Sequence, residues 1–257
     1  MLWYLIKIKM KSRLQYGRAL LYDILSGILI FLLDTIPLLI ILSNFTVGNW
    51  SKYEILFLYS LSRVGRVFGD LLFWIPMFGM DYTIKEGRFE RYLLAPINSF
   101  TYFIGNQFTT FTLGHCLGSV IVAIISFNYI DVNIKLINLC GFAFAFFGGA
   151  LIYAGILIFL GSISFWTLDS SGVSQMFSDI TRFTNYPLTI YPKGFQFIFT
   201  FIVPIGITTY YPTIILLGKQ DYSLYVSLFI TLIGTVIFRL ASKFWWRGIK
   251  TYQGTGS

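Results

Sequence analysis

Six apolar runs, each close to the ~20 residues that a helix needs to cross a bilayer, leave this chain few ways to fold. They are approximately Ile24–Leu42, Tyr53–Phe78, Tyr102–Asn128, Leu136–Trp166, Phe195–Leu217 and Leu224–Ala241. Of the 257 residues, 56% are hydrophobic and 12% are charged, which is more apolar surface than a soluble domain can hide. Lipid offers no partner to a backbone N–H or C=O, so runs of this length fold as helices. The expectation is an all-α polytopic membrane protein with six transmembrane helices. An amphipathic, basic stretch at 1–22 precedes a six-span transmembrane domain at 23–257. In that first stretch Leu2, Leu5, Ile6 and Lys9 have roughly helical spacing, which predicts an interfacial helix.

The positive charges set the orientation. Lys7, Lys9, Lys11, Arg13 and Arg18 precede the first span, and Lys85, Arg88 and Arg91 lie between spans two and three. Arg182 and Lys193 lie between spans four and five, and Lys243, Arg247 and Lys250 follow span six. The opposite loops hold only Lys52, Lys135 and Lys219. Both ends of the chain are therefore expected in the cytoplasm. The net charge of +8 is a topology signal, and nucleic-acid binding is not implied by it. By the same reasoning Leu168–Gly194 is expected to be a cytoplasmic loop with a short interfacial helix at Val173–Phe183. Pro204 and Pro212 interrupt the fifth span.

Charges inside a span are costly and need a reason. Asp34 falls midway along the first span, and Arg63, Arg66 and Asp70 share one face of the second. Arg66 and Asp70 are four residues apart and can pair within the helix, which leaves Arg63 to meet Asp34 across the helix pair. These four either lock the helices together or line a translocation path, and the spacing leaves both open. No GxxxxGK[ST] stretch is present to cradle nucleotide phosphates. The lone His115 and the two cysteines, Cys116 and Cys140, offer no metal-ligand spacing, and no nucleophile–base pair stands out. No catalytic, cofactor-binding or metal residues are assigned. Ser62, Ser119 and Ser162 read as helix-packing residues.

The polar island Ile84–Asn98, IKEGRFERYLLAPIN, separates two apolar runs and must meet water. Phe89, Tyr92 and Leu93 fall at i, i+3 and i+4, so one face is apolar and the other basic. Such a piece lies along a membrane surface or docks into a groove of a soluble partner. Lys85-Glu86-Gly87, Phe89 and Arg91 through Asn98 resemble the loop between spans two and three of an ABC type-2 exporter permease family. Asn185-Tyr186-Pro187-Leu188, Ile190-Tyr191-Pro192, Pro204 and Tyr210-Tyr211-Pro212 resemble that family's second signature.

The resemblance implies a multi-pass permease of the cell membrane, for which a bacterial inner membrane is expected. It further implies two copies of a cytoplasmic ABC ATPase that bind the ATP, and a second permease subunit, identical or different. Lys85, Glu86, Gly87, Arg88, Phe89, Arg91, Tyr92 and Leu93 would form the coupling helix that fits a cleft on the ATPase. Cargo stays open. The competing reading is a carrier or channel driven by an ion gradient, with Asp34, Arg63, Arg66 and Asp70 as its relay.

Overall fold

The computed structural model describes residues 1–132, 134–167, 169–219 and 224–252. Leu168, the expected start of the second polar loop, and 253–257, the expected end of the domain, lie outside the described residues. Among the described residues the regular elements are helical, apart from an isolated bridge between Val47 and Trp50.

Helix α1 (Leu2–Gln15) ends at Tyr16, where the backbone leaves helical geometry, and α2 (Gly17–Asn44) follows at once. The first span therefore begins well before Ile24. Helix α3 (Lys52–Gly69) opens on a capping box between Ser51 and Glu54, which satisfies two of its free backbone donors. It continues without a break through a π-helical turn, Asp70–Trp74, into α4 (Ile75–Phe78). Short helices α5 (Met80–Lys85) and α6 (Glu90–Leu93) form the polar island.

The expected third span is not one straight helix. It consists of α7 (Ser99–Asn106) and α8 (Phe111–Phe127), bent by 70°. The break is anchored by buried Thr110, whose hydroxyl donates to Asp23 of α2 at 2.8 Å. Helix α9 (Leu136–Thr167) is the central post, and α10 (Ser171–Thr181) follows it. Helix α11 (Lys193–Phe197) runs through a π turn, Ile198–Ile202, to a 102° bend before α12 (Ile205–Leu216). Pro204 caps that break, where it has no backbone N–H to lose. Helix α13 (Leu224–Thr251) closes the bundle. Three helices, α2, α9 and α13, are long and apolar enough to cross a membrane, or up to five segments if each bent pair is one span.

The seam between α9 and α13 is built on close backbone approach. A Cβ on Gly148 would stand 2.7 Å from the backbone nitrogen of Thr231 in α13, and on the neighbouring face one on Gly149 would stand 2.7 Å from the carbonyl oxygen of Thr208 in α12. Small residues are what allow helices to close this tightly in lipid, where apolar area alone gives no drive to associate. Ser62, Ser119 and Ser162 are fully buried and return their hydroxyls to carbonyls of their own helices, at 2.6–2.8 Å.

The ends of the bundle differ. At one, Lys219 Nζ donates to Glu54 at 2.7 Å and to the Asn49 carbonyl, while Tyr53 stacks on Tyr129. At the other, Phe89, Phe103, Phe165, Trp245 and Tyr252 pack edge to face. These contacts correct the expectation for the second polar loop. After Asp169 and Ser170 at the aromatic end, α10 turns back alongside α9, and Phe177 stacks on Tyr153 at mid-height. Arg182–Asn185 form a 3-10 turn beside α3, and Thr189 and Ile190 share a hollow with residues 46–50 at the far end. The segment from Ser171 to Ile190 thus passes through the bundle. Its serines and threonines could be read as loop residues only because their buried partners were out of view; Ser174, Thr181 and Thr184 are all buried.

Candidate functional site

One face of α3 gathers Tyr59, Arg63, Arg66 and Asp70, at i, i+4, i+7 and i+11, which keeps all four within a narrow stripe. The stripe faces a cavity of about 600 Å³. Helix α2 adds Asp34 and Pro37, α8 adds His115, α9 adds Tyr153, and the segment after α10 adds Arg182 and Asn185. All four intramembrane charges singled out in the sequence therefore line one cavity. The remaining polar lining comes from elements far away in the chain.

Arg63 Nη2 meets Asp34 Oδ2 at 3.8 Å, the pair expected across α2 and α3. The expected pair within α3 is not made. Asp70 instead accepts a hydrogen bond from the Tyr153 hydroxyl at 2.7 Å. Asp70 directly follows α3 and opens the π turn, and its carboxylate is taken up by α9. Arg66 is 5% exposed; its Nε donates to the Ser62 carbonyl at 3.3 Å and its guanidinium lies 5.9 Å from the Tyr153 ring centre. Arg66 Nη2, Arg63 Nε and the Tyr59 hydroxyl are buried with no hydrogen-bond partner.

The second candidate region is the polar island. Gly87 takes a φ of +68°, which lets the chain reverse between α5 and α6, as its place before the helix suggested. Phe89 and Tyr92, expected to face a partner, are fully buried in the chain's own aromatic cluster. The apolar periodicity was real, but α13, α9 and α7 cover it. Helix α6 is a single turn. What the island leaves exposed is Lys85, Arg88, Glu90, Arg91, Leu93 and above all Leu94, which is 84% exposed. Glu86 pairs with Arg88 at 2.5 Å, and Lys85 reaches Asp169 at 3.0 Å, joining the island to the end of α9. The Ser171 hydroxyl, then Lys85, hold the Asp169 carboxyl down at about 2, so this contact is charged at any physiological pH. Leu94 falls just outside the i, i+3, i+4 stripe, so periodicity alone does not single it out.

Residues 28–256 match the family described as ABC-2 family transporter protein. The chain belongs to the ABC-2 transporter family. Membrane components of that family act with ATP-binding subunits, and a carrier driven by an ion gradient is not favoured. This ABC-2 membrane protein is multi-pass by the length and apolarity of its helices. A search of the curated proteins returns no matching relative.

Proposed function

We propose that this chain is the permease subunit of an ATP-driven exporter, powered by a separate ATPase and completed by a second permease subunit. The family match over nearly the whole chain carries the reading. In it the membrane is crossed six times, by α2, by α3 with α4, by the bent pair α7–α8, by α9, by the segment from Ser171 to Ile190, and by α13. The bent pair α11–α12 is then a re-entrant hairpin, entering and leaving at the end that holds Lys219. This count keeps the six crossings expected from the sequence but moves the fifth. Orientation follows from the charges: Lys85, Arg88, Arg91, Lys243, Arg247 and Lys250 share the aromatic end, which is the cytoplasmic one. Helix α1 lies along that membrane face, with Trp3 and Tyr4 exposed for the interface. Labelling with an impermeant maleimide, with Cys116 and Cys140 replaced by serine, checks the topology. Asn49→Cys is expected to react in intact cells and Arg88→Cys only after lysis; the reverse pattern sinks the arrangement.

The contact with the ATPase is assigned to the exposed part of the island, Lys85 through Leu94, with Leu94 as the apolar anchor and Arg88 and Arg91 as its basic rim. Arginine is among the side chains on which interface energy concentrates, with losses of about 2 kcal/mol or more on truncation. Co-purification from membranes tests it. The triple change Arg88→Glu, Arg91→Glu and Leu94→Glu is expected to release an ATPase that accompanies the wild-type chain. Undiminished association would remove the island as the contact and leave α1 as the next candidate.

A further inference from the structure

The cavity beside α3 is chemically one-sided. Its carboxylates are engaged, Asp34 by Arg63 and Asp70 by the Tyr153 hydroxyl. Its donors are not. Arg66 Nη2, Arg63 Nε and the Tyr59 hydroxyl are buried side by side on one helical stripe without an acceptor. Leaving one such buried donor unmet costs about 1–3 kcal/mol, and more when it is charged. All three belong to residues that line one cavity, and an oxyanion is the kind of group that would accept from them. Arg182, the remaining guanidinium of the lining, faces Asp179 at 3.6 Å. Leu33, Val67, Trp74, Ile75 and Phe111 give the cavity an apolar wall, and His115, Asn185, a serine and threonines complete the lining. Leu33, Ile75 and Phe111 are also exposed on the flank of the bundle, so the cavity opens sideways at the level of the spanning helices.

We infer that this cavity takes an anionic amphiphile, a phosphate or carboxylate headgroup on an apolar body, with Arg66, Arg63 and Tyr59 donating to the headgroup. The inference rests on the permease reading and names the class of cargo it would move. About 600 Å³ falls within the range of small-ligand sites and is ample for a headgroup and the first part of a chain. A guanidinium suits the headgroup because its planar donors match two oxygens of one oxyanion. The apolar flank allows the tail to remain in lipid while the headgroup is held.

Binding to the purified full chain in a neutral maltoside detergent tests this, by thermophoresis with dodecyl phosphate, dodecylphosphocholine and inorganic phosphate as probes. Dodecyl phosphate is expected to bind saturably, and Arg66→Gln to weaken it by at least about tenfold, the loss of one charged hydrogen bond. Dodecylphosphocholine, whose phosphate already carries a cation, is expected to bind more weakly than dodecyl phosphate. Asp34→Asn removes the carboxylate that competes for Arg63 and is expected to tighten binding, a gain that a misfolded chain cannot produce. Equal affinity in Arg66→Gln, equal affinity for the phosphocholine, or no tightening in Asp34→Asn each overturns the inference. Inorganic phosphate competing at the same concentrations would overturn the amphiphile and leave a bare oxyanion site. An ATPase that co-purifies with a chain indifferent to dodecyl phosphate retains the permease reading and removes this inference alone.

Discussion

Phe89→Ala is expected to destabilise the fold by about 3–5 kcal/mol, the range for truncating a fully buried phenylalanine. The ring is fully buried and touches Tyr92, Phe103, Phe165, Trp245 and Tyr252. It thereby joins the polar island to α7, α9 and α13. Removing it opens a cavity where four elements meet, and edge-to-face aromatic pairs add about 0.5–1.5 kcal/mol each beyond area alone. Thermal unfolding of detergent-solubilised protein, followed by size-exclusion chromatography, should show a large drop in midpoint and yield. A variant as stable as wild type would mean that the ring is not a core residue. The contrast with Leu94→Ala is diagnostic, because an exposed side chain is expected to leave stability within about 0.5 kcal/mol.

Gly148→Leu is expected to be at least as damaging. Here the difficulty is overpacking: even the first carbon of the new side chain would stand 2.7 Å from the Thr231 backbone. The backbone of α13 cannot yield as a flexible side chain would. Overpacking typically costs about 1–3 kcal/mol when side chains can shift, and here they cannot. The α9–α13 seam should part, giving a chain that inserts in membranes but does not survive extraction as a monodisperse species. Gly148→Ala tests the same contact with the smallest addition and should fall between. Wild-type behaviour of Gly148→Leu would contradict the close packing of these two helices.

Much of this protein was legible in its residues. Helices α2, α9 and α13 follow from apolar length alone, since lipid forces any such run to satisfy its own backbone. The lysines and arginines supply the orientation proposed above. Asp34, Arg63, Arg66 and Asp70 stood out because a charge in an apolar run needs a reason, and the four do line one cavity.

Three things were decided only by tertiary structure. Periodicity shows that Phe89 and Tyr92 share an apolar face but not what covers it; the cover is Phe165 and Trp245, far along the chain. The run Phe195–Leu217 has the composition of a span, yet it bends by 102°, and the segment before it passes through the bundle. Composition does not distinguish a serine at the surface from one buried against a neighbouring helix. Spacing placed Asp70 within reach of Arg66, while the structure gives its carboxylate to the Tyr153 hydroxyl of a distant helix. The sequence determined which segments enter lipid and which charges must be answered there; which group answers each depends on long-range packing, to which local pattern carries no signal.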